Sequence, residues 1–256
     1  MASSVGRGFL AGVLLISHRL PYYAGMGLAD RDYYRNKPPR GYGSMSAWSI
    51  TTWLIAINVA VYVVNELGNN WLYELGYFSA DTAVYQLQVW RFLTFQFLHA
   101  SVMHIFFNML ALYYFGPMVE QYLGQRKFIL FYLLCGIAGA VSYLLLMAGG
   151  LLQAGSAARL VGASAGILGV LIAAATRVAP DATVMLMFPP IPMKLKTMAW
   201  VLIGIAAYTI FSRGNNAGGE AAHLGGAALG YLLIQRPEIL DGLTSWPRRK
   251  PPGRRW

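Results

Sequence analysis

Stretches without a charged residue recur along the chain, each about as long as a membrane-spanning helix. Residues 41–65, 92–119, 128–158, 160–176, 197–212 and 221–235 contain no Asp, Glu, Lys or Arg. A helix needs about 20 largely apolar residues to cross the hydrocarbon core, with a lower limit near 17. The pattern therefore predicts span 1 over 48–64, span 2 in the second half of 92–119, and span 3 from Phe128 to about Met147. Spans 4, 5 and 6 fall in the last three stretches, which are short and rely on Arg177, Lys196 and Arg236 to snorkel at their ends. Residues 9–16 are apolar but too few to cross a bilayer, and read as an interfacial segment or part of an N-terminal extension. Residues 31–44 and 246–256, polar and rich in Pro, Gly or Arg, read as flexible extensions. The expected organisation is an N-terminal cytosolic extension over 1–46, an all-α six-span core over 47–236, and a short basic cytosolic C-tail over 237–256.

Composition agrees with this frame. The 256 residues are 57% hydrophobic and only 12% charged, and the mean hydropathy is +0.47. Soluble domains carry about a quarter charged residues. A disordered chain, a disulfide scaffold and most cytosolic enzymes are excluded. The single cysteine, Cys135, lies in an apolar run, which leaves no disulfide framework and no thiolate metal site. It reads as a buried, inert thiol.

The net charge of +10 admits two explanations, a nucleic-acid surface or membrane topology. Position decides between them. With the N-terminus in the cytosol, six basic residues fall in the N-terminal extension and two, Arg126 and Lys127, between spans 2 and 3. Three more, Arg177, Lys194 and Lys196, lie between spans 4 and 5, and six follow span 6. That is 17 of the 20 Lys and Arg, leaving only Arg91, Arg159 and Arg213 outside. The charge is thus mostly a record of orientation, with both ends inside and an even number of spans. Nucleic acid is not an expected partner.

Against this apolar background, a few polar residues share one depth. Gly162-Ala163-Ser164-Ala165-Gly166 opens span 4, Ala222-His223-Leu224-Gly225-Gly226 opens span 6, and His99, His104 and Asn108 lie at the start of span 2. These three spans all run from outside to inside, so the three features lie in one layer near the outer face. Ionisable groups within spans are candidates for function by default. A serine and a histidine at one depth suggest a nucleophile and its general base. His104 and Asn108, four residues apart, share a helix face. With the Ser164 backbone N–H they could hold an oxyanion. Glu220 is the one carboxylate near His223, but three residues earlier it is expected to stay at the interface, so the reading is a Ser–His dyad. Each piece alone has a plainer explanation. Gly-x-Ser-x-Gly serves small-residue helix packing, and it lacks the strand that precedes the nucleophile elbow of α/β-hydrolases. His18 reads as an interfacial bystander. Gly166, Gly226 and Gly230 are first of all close-packing positions.

Taken in order, Trp90-Arg91, His99-x4-His104-x3-Asn108, the Gly162–Gly166 motif and Ala222-His223-x2-Gly226-x3-Gly230 resemble the rhomboid intramembrane serine proteases. Gly116-x3-Glu120 and Phe188-Pro189-Pro190-Ile191-Pro192 are also similar to that family. The resemblance implies Ser164 as nucleophile, His223 as base, and an oxyanion hole from His104, Asn108 and the Ser164 N–H. It gives supporting places to His99, Gly162, Trp90 and Arg91, the last two in a first external loop that braces the fold. It further implies cleavage of single-span membrane proteins near the outer face, at small residues in an easily unwound helix, with span 5 as the gate. Phe95 departs from the pattern, standing where some bacterial members carry a histidine. No cofactor or metal is expected. The expected partners are transmembrane protein substrates and the lipid bilayer, in a bacterial plasma membrane or, alternatively, an organelle. Two rivals are a non-catalytic rhomboid-like protein that binds membrane clients and a small-solute transporter. The first is disfavoured because both Ser164 and His223 are present, the second because the polar groups lie near one face rather than at mid-depth.

Overall fold

The computed structural model describes residues 48–153, 155–185 and 190–244. Residues 9–16, His18 and the rest of the N-terminal extension lie outside the described residues, as do Phe188, Pro189 and the tail over 246–256.

Helix α1 (Ile50–Leu67) starts after Ser49, whose hydroxyl accepts the Thr52 N–H, and ends at Gly68. A loop follows that contains α2 (Trp71–Gly76), a π turn (Asp81–Tyr85) and α3 (Arg91–Thr94). Helix α4 (Val102–Leu123) is capped by Ser101, which accepts the His104 N–H. Gly124, with φ of 78°, turns the chain directly into α5 (Gln125–Ala148). Helix α6 (Ser164–Ala173) runs on into a π turn (Ala174–Val178). A small antiparallel hairpin, β1 (Thr183–Met185) with β2 (Pro192–Lys194), pairs Val184 with Met193. Helices α7 (Leu195–Phe211), α8 (Ala217–Gln235) and α9 (Glu238–Thr244) complete the chain.

The six expected spans correspond in order to α1, α4, α5, α6, α7 and α8, a polytopic helical bundle. Helices α1, α4 and α5 are long and apolar enough to cross a membrane, and α6 with its π turn and α7 are shorter apolar helices. Two boundaries move for physical reasons. Charge-free sequence begins at 160, yet α6 begins only at Ser164. Leu160 is instead paired with Phe78 through two backbone hydrogen bonds of 2.7 and 3.0 Å, and Gly162 adopts φ of +128°, which no helix contains. Conversely, α8 starts at Ala217, ahead of Glu220, because a carboxylate is well tolerated in a first helical turn.

A second carboxylate ties distant spans together. Glu120, buried in the last turn of α4, accepts hydrogen bonds from the Ile50 and Thr51 N–H groups and from the Thr51 hydroxyl, at 2.8, 2.9 and 2.7 Å. It caps the start of α1 from 70 residues away, and Gly116 leaves room for Thr51 beside it. At the other end of the chain, α9 occupies residues read as the start of a tail. Its Leu240 is fully buried, and Asp241 pairs with Lys127 at 2.6 Å.

Helices α5, α6 and α8 form the densest part of the bundle. Membrane helices gain little from apolar contact as such and associate through close packing, which small residues permit. A methyl group on Gly226 would strike the Ala165 carbonyl, and one on Gly230 would lie 2.7 Å from the Gly169 carbonyl oxygen. Gly139 of α5 approaches Ala165 of α6 and the Ala222 carbonyl of α8 as closely. Cys135 is completely buried at this seam against Gly169.

Candidate active site

Ser164 is the first residue of α6, so its N–H belongs to a helical turn whose donors have no intrahelical acceptor. The turn is set by Gly162, whose N–H is held by the Phe95 carbonyl at 3.0 Å. His223 stands in the second turn of α8. The Gly226–Ala165 and Gly230–Gly169 approaches bring these two helices together, and the His223 Nε2 to Ser164 Oγ distance is 2.8 Å. The opposite ring nitrogen, Nδ1, is 2.9 Å from Glu220 Oε2. The expectation that Glu220 stays at the interface is therefore not met: one helical turn below His223, it turns inward, with 20% of its side chain exposed.

These contacts define a consistent proton arrangement. With Nδ1–H donating to the carboxylate, Nε2 of a neutral imidazole is left to accept from the Ser164 hydroxyl. The His223 side chain is 24% exposed, so the pair is not sealed within the bundle.

His104 lies in the first turn of α4. Its Nδ1 accepts the Ala100 N–H at 3.4 Å, which leaves the proton of the neutral ring on Nε2. That nitrogen faces Gly162: a methyl group there would lie 2.8 Å from His104 Nε2 and 3.6 Å from Ser164 Oγ. A donor and the serine oxygen thus flank one small space that only glycine leaves open. Asn108, one turn further along α4, is buried, and its Nδ2 has no hydrogen-bond partner among the described residues. An amide donor buried without an acceptor is costly in a finished fold. His99 is buried in the segment before α4, its ring edge-on to that of His104 with centroids 5.0 Å apart.

Trp90 and Arg91 lie in the loop between α1 and α4. Trp90 is half-exposed and its indole N–H reaches the Leu75 carbonyl at 3.3 Å. Arg91 is buried and donates to Gln88 Oε1 and to the Tyr77 and Glu74 carbonyls, at 2.6, 2.6 and 2.9 Å. Arg159, which the charge count left merely as an outside residue, completes this brace. It pairs with Glu74 at 2.6 Å and sits over the Tyr77 ring, 4.3 Å from its centroid, with Arg91 4.6 Å from the same centroid. Through Arg159 and the neighbouring Leu160–Phe78 pairing, the loop is fastened to the strand-like segment that leads into Ser164.

Of the packing glycines expected, Gly226 and Gly230 meet α6, whereas Gly166 faces Tyr132 of α5. The partner of Gly230 is Gly169, which the motif reading passed over. Its signal was present in the spacing of Gly166 and Gly169 along one short helix. Phe95, in place of a histidine, is buried against Phe78, ring centroids 5.8 Å apart.

The sequence of this whole region is shared with known proteins. RHOMBOID-like protein 1 of Arabidopsis thaliana is 29% identical over 162 residues, 63% of this chain and 38% of that protein. Rhomboid protease GlpG of Salmonella choleraesuis is 37% identical over 79 residues, 30% of this chain and 29% of that one. Rhomboid protease GluP of Bacillus subtilis is 33% identical over 98 residues, 37% and 19% respectively. The chain thus spans well under two thirds of the length of these curated relatives. The Rhomboid domain family matches residues 86–235, a stretch that runs from the loop before α3 through the end of α8 and takes in Ser164, His223, His104 and Asn108. An integral membrane bundle with that match across most of its length belongs to the rhomboid family, whose members include intramembrane proteases.

Proposed function

We propose that this protein is an intramembrane serine endopeptidase that hydrolyses peptide bonds of single-span membrane proteins near the outer membrane face. The observation that carries the reading is the 2.8 Å contact between Ser164 Oγ at a helix start and His223 Nε2 on the neighbouring span. In the first step Ser164 Oγ bonds to the scissile carbonyl carbon as its proton passes to Nε2, and the carbonyl π pair becomes an oxyanion. The Ser164 N–H, His104 Nε2–H and Asn108 Nδ2–H are the donors for that charge. The tetrahedral carbon then expels the amine, which takes the proton from Nε2 and leaves an acyl-serine. Water, deprotonated by the same nitrogen, attacks the ester and releases the carboxyl product and the free Ser164 hydroxyl. The substrate must present a locally unwound segment, because a peptide bond in an intact helix is shielded by its own hydrogen bonds. Helix-weakening residues near the cleaved bond fit that need.

The test uses purified protein in proteoliposomes with a single-span model substrate. Ser164→Ala and His223→Ala each lower the cleavage rate by a factor of about 10³ or more. Cleavage by Ser164→Ala at the wild-type rate overturns the proposal, and substrate capture without cleavage by the wild type supports the client-binding alternative instead. The basic-residue bias further supports an orientation with Arg126 on the cytosolic side and Gly155 outside, as in a bacterial plasma membrane. In a Cys135→Ala background, a membrane-impermeant maleimide applied to intact cells is expected to label Gly155→Cys and spare Arg126→Cys. The reverse pattern would sink this orientation.

A further inference from the structure

We infer that Glu220 is a positioning residue for His223, so that the site works as a Ser164–His223–Glu220 relay rather than as a dyad. This rests on the protease reading above and extends it. The carboxylate Oε2 lies 2.9 Å from His223 Nδ1, while Nε2 of the same ring lies 2.8 Å from Ser164 Oγ. The ring is thus bonded at both nitrogens, and its rotation about χ2 is fixed by the two contacts together.

Three features make Glu220 suited to this place. It stands three residues before His223 on α8, so the two side chains share a helix face. It is anchored at the residue that starts the helix: its N–H donates to the Asn216 carbonyl at 3.0 Å. It sits in a first helical turn, where the free N–H groups make a carboxylate a favourable neighbour. Among the described residues, the other groups around the ring carry no negative charge. His104 faces it from α4, and Tyr143 of α5 packs beside Gly218 at the base of the same turn.

The chemistry follows from the bonding. Nδ1 keeps its proton and donates it to Glu220, which holds the tautomer whose Nε2 lone pair faces the serine. When Ser164 gives up its proton, the imidazolium carries N–H at both nitrogens, and the carboxylate stabilises that cation without being protonated. Glu220 is unchanged by the step, and the proton passes on from Nε2 to the leaving amine.

The experiment compares wild type, Glu220→Gln, Glu220→Asp and Ser164→Ala in proteoliposomes, reading kcat and KM on a single-span substrate, Ser164 labelling by a fluorophosphonate, and unfolding temperature. Glu220→Gln is expected to lower kcat and the labelling rate at least about tenfold with KM unchanged. Glu220→Asp is expected to restore part of the rate. Wild-type kinetics in Glu220→Gln overturn the inference. So do equal losses in both variants that track a fall in unfolding temperature, which would mark a helix-start role alone. Full activity in Ser164→Ala, by contrast, would overturn the protease reading itself, so the two failures are distinguishable.

Discussion

Helices α7 and α8 are neighbours of similar length, 17 and 19 residues, and both are largely apolar, yet they are held in different ways. Helix α8 buries Ala221, Ala222, Gly226, Ala227 and Gly230 and meets α5 and α6 almost backbone to backbone. Helix α7 buries only Leu195, Ala199, Ala206 and Ile210, a single stripe, and turns Trp200, Ile205, Tyr208 and Phe211 outward. Its own glycine, Gly204, has nothing within 4 Å of where a methyl group would stand. The helix that carries His223 and Glu220 is therefore positioned by hard contact, whereas its neighbour rests on side chains that can repack. A site that needs a 2.8 Å contact between two helices requires the first kind of support. A helix beside which a transmembrane segment could enter is compatible with the second.

This contrast can be broken or sharpened with one kind of substitution at different places. Gly226→Val should have the largest effect, because an added isopropyl group cannot coexist with the Ala165 backbone. The expected cost is about 3 kcal/mol or more, with loss of fluorophosphonate labelling as Ser164 and His223 separate. Gly226→Ala should act in the same direction, by about 1–3 kcal/mol. Gly204→Ala should have the smallest effect and the opposite sign, stabilising by up to about 1 kcal/mol through helix propensity alone. Denaturant titration of the folded protein in mild detergent measures all three. A destabilising Gly204→Ala, or a neutral Gly226→Ala, would remove the distinction between the two helices.

Much of the candidate site was legible because the surroundings are so apolar. Ser164, His223, His104 and Asn108 stood out as polar groups at one depth, and the order of their motifs carried the resemblance. Glu220 was weighed and set aside on helical geometry alone. Its inward turn depends on the Asn216 start of α8 and on the depth at which α8 meets α6, neither of which is a local property. Arg159 was visible only as a charge on the outer side, because its partners Glu74 and Tyr77 are 85 and 82 positions away.

Length and charge spacing along the chain determined the number and order of the main helices and several of their ends, since a membrane span must satisfy its own backbone hydrogen bonds and exclude charge. They also singled out a few polar residues that share one depth. What they left open was rotation about each helix axis and which faces meet, because spans that are apolar on every side carry no amphipathic stripe to point inward. Tertiary structure decided that, through Gly226 against Ala165, Gly230 against Gly169 and Glu120 at the start of α1. Close approach of backbones and hydrogen bonds across the bundle select one packing where hydrophobicity alone favours none.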